Sequence, residues 1–206
     1  NRQCLLPVCV PPGYRLRTWR EGDQKNWARI QKEAGEFGDM TLEQTEAWFL
    51  QEYGDRKEEL SFRCLFAESM DGETDGVCMA WTEAGTDGSL IPSLHWLAVR
   101  DAKKGQGIGT ALVREALRVF AGRGEVPVFL HTQPWSYEAV GLYLKAGFFL
   151  CRSETFGKSV SGGDPDPGAV PGGGPQAVPV GRIPFFRFTG DPYTSARLAS
   201  LSRQCR

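Results

Sequence analysis

The sequence predicts an α/β chain of the α+β type: a mixed, mostly antiparallel central sheet flanked by helices. Two observations predict it. Three strand-like runs, Ser61 to Glu68, Gly76 to Ala84 and Pro92 to Val99, follow one another across Gly-Asp-rich turns, as in an antiparallel meander. A long amphipathic segment then separates the last of them from a further apolar run, as in a crossover connection. The expected order is β-αα-βββ-α-β-α-β-β. A chain of 206 residues has room for one such domain and an extra segment, and a 41% hydrophobic share can fill its core.

Tyr14 to Thr18 alternates polar and apolar and reads as the first strand. Asp23 is placed to cap the next helix, which carries Trp27 and Ile30 on one face and breaks at Gly35 and Gly38. Thr41 and Gln44 have capping-box spacing and open a second helix through Trp48, Phe49 and Tyr53. After the meander, a helix runs from near Gly107 to near Gly122, with Ile108, Leu112, Ala116 and Val119 at helical spacing.

Val126 to Thr132 is a buried type of strand. Ser136 is placed to cap a helix that ends at Ala146-Gly147, and Phe148 to Thr155 is a strand. Residues 157–181 are rich in Gly, Pro, Ser and Asp and read as a flexible insertion within a single domain formed by residues 1–156 and 182–206. Arg182 to Thr189 regains strand character, and Tyr193 to Cys205 is a weak helical stretch.

Net charge is −1 and the pI is near 6.2, so no broad basic face is available for nucleic acid or an anionic membrane. No apolar run approaches the length of a membrane span. The chain starts at Asn1 without a basic-then-apolar leader pattern, and a cytoplasmic location is expected. The six cysteines (Cys4, Cys9, Cys64, Cys78, Cys151, Cys205) contain no CxxC pair and have only two histidines beside them, which argues against zinc or any other metal site. Cys64, Cys78 and Cys151 lie in apolar runs and read as buried, reduced thiols.

The segment Lys104-Gly105-Gln106-Gly107-Ile108-Gly109-Thr110 lies between a strand and an amphipathic helix. A helix start exposes unpaired N–H groups and the positive end of its dipole, and glycines let a phosphate approach them. Lys103 and Lys104 add charge beside it. A Walker A motif is absent, and the dinucleotide fingerprint fails because Thr110 stands where its last glycine belongs.

With Leu97-Ala98-Val99 before it, this loop resembles the first motif of the GNAT superfamily of acetyl-CoA-dependent N-acetyltransferases, Gln/Arg-x-x-Gly-x-Gly/Ala after a strand. Lys104 stands in the Gln/Arg place and keeps the charge. Ala139, Leu142-Tyr143 and Gly147-Phe148 resemble the family's second motif, with Ser136 where Asn is usual. The resemblance covers residues 94–148 well, the first ninety residues in element order only, and nothing specific after Thr155.

The resemblance implies acetyl-CoA as co-substrate, lying between splayed fourth and fifth strands. The backbone of Leu97, Ala98 and Val99 would bind its pantetheine arm, and Lys104 to Thr110 its pyrophosphate. Ser136 would contact it where the family has Asn. Tyr143 would protonate the departing thiolate, and His131 would take a proton from the amine. His95 on the fourth strand is the rival base, and a relayed water a third choice. Glu36, Phe37, Asp39 and Met40, in the loop after the first helix, form an acidic-aromatic stretch that would suit a cationic amine.

The implied activity is acetyl transfer to a primary amine, preferably of a small molecule, by direct attack in a ternary complex. Two rivals are a protein N-terminus or lysine as acceptor, and a CoA-binding sensor without turnover. A degenerate sensor would be expected to lose Tyr143 and its base. The acceptor's identity and the oligomeric state, a homodimer included, stay open at the level of sequence.

Overall fold

In the computed structural model, residues 7–85, 88–132, 136–151 and 185–188 are described. The strands are β1 (Tyr14–Thr18), β2 (Cys64–Ser69), β3 (Thr74–Ala84), β4 (Leu90–Val99), β5 (Val128–His131), β6 (Phe149–Cys151) and β7 (Phe185–Phe188). The helices are α1 (Gln24–Glu33), α2 (Leu42–Tyr53), α3 (Lys57–Arg63), α4 (Ile108–Gly122) and α5 (Tyr137–Ala146). Seven strands form one sheet in the order β1-β2-β3-β4-β5-β7-β6. Every pairing is antiparallel except β4 with β5.

Two cores lie on the two faces of the sheet. On one, α1 and α2 bring Trp27, Ile30 and Phe49 against Phe66, Val77, Met79 and Trp81. On the other, α4 and α5 bring Ile108, Leu112, Val113, Phe120 and Tyr143 against Leu65, Cys78, Ala80, Leu94, Val128 and Leu130. Alternation along each strand divides these residues: Val77, Met79 and Trp81 face one way, Cys78 and Ala80 the other.

The capping box forms as read. Thr41 Oγ1 accepts from the Gln44 N–H at 3.2 Å, and Gln44 Oε1 accepts from the Thr41 N–H at 2.7 Å. Cys64 and Cys78 are buried free thiols.

Three local readings are corrected. Asp23 occupies the N-cap of α1 but makes no side-chain cap bond. Its carboxylate instead receives Arg17 Nη1 at 2.6 Å, Arg17 Nη2 at 2.9 Å and Asn26 Nδ2 at 2.9 Å, so the buried Arg17 has taken the acceptor the cap would use. Ser136 is likewise an N-cap without a side-chain bond, because its backbone (φ −83°, ψ 57°) lies outside the extended region that aims a cap hydroxyl at the first turn. Ser61 to Arg63 belong to α3 rather than to a strand. Arg63 ends that helix, buried, with Nη1 donating to Ala80 O at 2.8 Å and Nη2 to Glu125 Oε1 at 2.6 Å. The expected insertion at 157–181 and the helical stretch at 193–205 lie outside the described residues.

The seat of α4 on β3 sets where the glycine loop begins. A Cβ on Gly76 would lie 2.9 Å from Ile108 Cγ2, 3.0 Å from Leu112 Cδ1 and 3.4 Å from Ala98 O. Gly76→Ala is therefore expected to push α4 off the sheet, at an overpacking cost of about 1–3 kcal/mol. Thermal unfolding should show it as a Tm lower by several degrees; an unchanged Tm would refute this packing.

Candidate active site

The strands β4 and β5 share one parallel pair, Ser93 with Phe129. Beyond it β4 runs on to Val99 and β5 to His131 with no further paired position, so the two strands part. The β5-facing edge of β4 past Ser93, which includes Leu97, Ala98 and Val99, is thus left without a strand partner among the described residues. An unpaired strand edge offers its backbone to an extended ligand.

The same stretch of β4 is bent by a bulge. Val77 pairs with Ala98 and Met79 with His95, so Cys78 alone stands opposite both Trp96 and Leu97. Trp96 has φ 52°, an unfavourable conformation for a bulky side chain. Two long-range bonds hold it: Gln31 Nε2 donates to Trp96 O at 3.0 Å, and Trp96 Nε1 donates to Tyr53 Oη at 2.7 Å. The bulge puts Trp96 into an aromatic group with Phe37 (5.5 Å), Trp48 (5.4 Å) and Trp27 (5.3 Å).

Phe37 of the α1–α2 loop is buried, Met40 and Glu36 are half-buried, and Asp39 is exposed. Burial pushes the Glu36 carboxyl up.

At the end of β4, the chain turns through Asp101–Lys103 into the glycine loop. Gly105 (φ 77°) and Gly107 (φ 89°) both take the left-handed conformation, and Gly107 is the N-cap of α4. The first amide used by the helix is that of Ala111, bonded to Gly107 O at 3.0 Å. Among the described residues no hydrogen bond is donated by the amides of Gly105, Gln106, Gly107, Ile108, Gly109 or Thr110. Lys104 pairs with Asp101 at 2.6 Å and Lys103 with buried Asp75 at 3.7 Å. A row of unbonded amides at a helix start, with open space where a Cβ on Gly105 would stand, fits a pyrophosphate. Gly109 differs: a Cβ there would lie 3.0 Å from Leu142 Cδ1, so its smallness lets α5 approach α4.

His95 and His131 each lie two residues past the Ser93–Phe129 pair. Period-two alternation therefore sets both rings on one face, the side of Met79 and Trp81, across the parting strands. Their centroids are 6.4 Å apart. His95 Nε2 also meets Glu83 Oε1 of β3. His131 is exposed at the strand end, whereas the His95 side chain is only 10% exposed.

Tyr143 lies on the opposite face. It is 5% exposed and packs on Phe148 (5.9 Å) and Phe186 (6.1 Å). Burial, together with the neighbouring Cys78, pushes its phenol well above the ordinary value, so it stays protonated across the neutral range. The sequence-predicted residues thus fall into four places: Leu97, Ala98 and Val99 on the open edge of β4, the loop 104–110 and Ser136 at the starts of α4 and α5, His131 with its rival His95 on one face of the splay, and Tyr143 on the other. Gln31, Tyr53, Trp96 and Glu83 were not anticipated; a carboxylate sharing a strand face with Met79 and Trp81 was the one signal available for them. A groove of about 330 Å³ at the other end of β4 and β5, lined by Ile91, Pro92, Pro127 and Phe129, contains neither histidine.

A sheet that opens between a parallel pair, beside a helix whose first amides are free, can take an extended ligand that carries a phosphate group. The chain belongs to the acetyltransferase (GNAT) family, whose sequence profile matches residues 25–148. That family uses acetyl-CoA. No curated protein matches the chain by sequence.

Among solved structures, yncA from Salmonella typhimurium with its cofactor acetyl-CoA superposes with a TM-score of 0.60 at 16% identity, covering 87% of this chain and 95% of that one. A spermidine N-acetyltransferase SpeG chimera from Vibrio cholerae and hSSAT gives 0.59 at 15% identity, covering 88% and 98%. Naa50 from Arabidopsis thaliana, in complex with a bisubstrate analogue, gives 0.53 at 17% identity, covering 68% and 85%. At these identities the likeness is one of fold. No helix among the described residues is long and apolar enough to cross a membrane, and no cluster of metal-ligating side chains occurs among them.

Proposed function

We propose that this acetyltransferase moves acetyl from acetyl-CoA to a primary amine of a small molecule, by direct attack in a ternary complex. The observation that carries the reading is the placement of two imidazoles on one face of the β4–β5 splay and a buried, protonated phenol on the other. Acetyl-CoA supplies the activated acetyl group. The backbone of Leu97, Ala98 and Val99, the loop Lys104 to Thr110 and Ser136 bind it. His131, with His95 beside it, takes a proton from the arriving ammonium, which leaves the nitrogen lone pair free to form the C–N bond. Tyr143 gives its proton to the sulfur as the C–S bond breaks.

The acceptor enters on the side of Trp48, Trp96, Phe37 and Glu36. Aromatic faces and a nearby carboxylate favour a cationic amine there. That β7 inserts between β5 and β6 supports reading residues 1–156 and 182–206 as one domain.

A library of amines and amine-bearing peptides, incubated with purified protein and acetyl-CoA and followed by release of free CoA, tests the reading. Turnover with small amines is expected. Turnover confined to peptides would overturn the acceptor class, and none with any amine would overturn the catalytic reading.

A further inference from the structure

Glu83 is the carboxylate that meets His95 and feels the charge of His131. It lies on β3 in the row paired with Ile91, on the same face as Trp81 and Met79. From there it crosses over Ser93 to meet His95 Nε2. We propose that Glu83 is a positioning residue for proton removal: it holds His95 through Nε2 and makes His95 and His131 one proton-accepting pair. The proposal rests on the transfer to an amine inferred above and adds the residue that makes its base work.

The chemistry follows from what an imidazole can do. A neutral ring has one N–H and one lone pair. With Nε2–H given to Glu83, the lone pair of His95 is on Nδ1, the nitrogen left to accept a proton. The carboxylate then stabilises the imidazolium that forms when the substrate ammonium gives up its proton. The N–H bond of the ammonium breaks, its electron pair stays on nitrogen for the attack, and the proton rests on the pair until solvent removes it. No oxidant or further reactant is needed.

Glu83 is ionised, as this role requires. Burial pushes its carboxyl up, but the close approach and charge of His95, the charge of His131 and a bond from Ser93 outweigh that and hold it below the usual carboxylate range. Two arginines also lie on this face. Arg187 of β7 lies over the Phe129 ring at 5.7 Å, one row below His131. Arg56 lies over Trp81 at 4.2 Å and is paired with Glu59 at 2.7 Å. Tyr53 Oη accepts from Trp96 Nε1.

The chain has only two histidines, so one substitution, His131→Asn, assigns every imidazole nitrogen signal. Nitrogen-15 NMR of the full chain, without substrate, should show His95 as the Nε2–H tautomer at high pH. In Glu83→Gln, which is isosteric, the tautomers should mix. The pH–rate profile for a turned-over amine should be altered with it. Its plateau should fall about tenfold to a hundredfold, part of the ~10²–10⁴ that general-base assistance supplies. Glu83→Asp, which keeps the charge, should recover the tautomer and the plateau, and acetyl-CoA affinity should be unchanged in both variants.

An unaltered tautomer in Glu83→Gln overturns the proposal, and so does an unaltered pH–rate profile. If the wild-type protein acetylates no amine, the functional reading falls and takes this one with it. Active wild type beside an indifferent Glu83→Gln sinks this inference alone.

Discussion

Gly107→Glu is expected to abolish acetyl-CoA binding in a chain that still folds. Gly107 caps α4 at φ 89°, and the amides around it, from Gly105 to Thr110, have no partner within the described protein. A carboxylate placed there meets the pyrophosphate as a like charge. Two like charges about 4 Å apart near a protein surface repel by about 4 kcal/mol, close to a thousandfold in affinity. The left-handed backbone adds a strain on the order of 1–2 kcal/mol for any side chain, so Gly107→Ala is the control. A Cβ at this position has only Pro11 Cγ near it, at 3.7 Å, so alanine brings strain without a clash. Calorimetry should show weakened but measurable binding for Gly107→Ala and no heat for Gly107→Glu. Equal affinity in the wild type and the glutamate variant would sink the phosphate-loop assignment.

The shape of that loop, glycines at a helix start, was legible in the sequence because its signal is local: strand, basic turn, glycines and amphipathic helix within a few residues of one another. The same is true of the Thr41–Gln44 box and of the stop at Gly147, which takes φ 100°. Errors arose where a distant partner decides the local structure. Leu60, Phe62 and Cys64 alternate with polar residues and look like strand, but Arg63 is drawn into α3 by Glu125, sixty-two positions away. Asp23 looks like a cap and serves Arg17 instead.

The geometry of the candidate site was hidden for the same reason. The bulge at Trp96 is held by Gln31 and Tyr53, sixty-five and forty-three positions away. No local pattern in Leu94 to Val99 announces a residue at positive φ. The choice between His95 and His131 likewise depended on strand register, which only the Ser93–Phe129 pair supplies. Once that pair is known, both histidines fall on one face and the alternatives become neighbours.

Tyr143→Phe is expected to lower the rate of acetyl transfer roughly a hundredfold to ten-thousandfold, the range for loss of general-acid assistance. The substitution keeps the ring packed against Phe148 and Phe186 and removes only the hydroxyl. No residue among those described accepts that hydroxyl, so its loss leaves no buried partner unsatisfied and stability should hold. Acetyl-CoA affinity should change little, because the glycine loop and the open edge of β4 lie elsewhere. The phenol's raised value places its own ionisation beyond the neutral range, so the variant's residual rate should keep the wild-type acidic limb. His131→Ala should do the reverse: its loss of rate should be greatest on the acidic side, where deprotonating the amine limits turnover, and smaller above it. Measured with one amine under conditions where chemistry limits the rate, the two profiles separate acid from base. Full turnover by Tyr143→Phe under those conditions would return Tyr143 to the core as an aromatic that only packs.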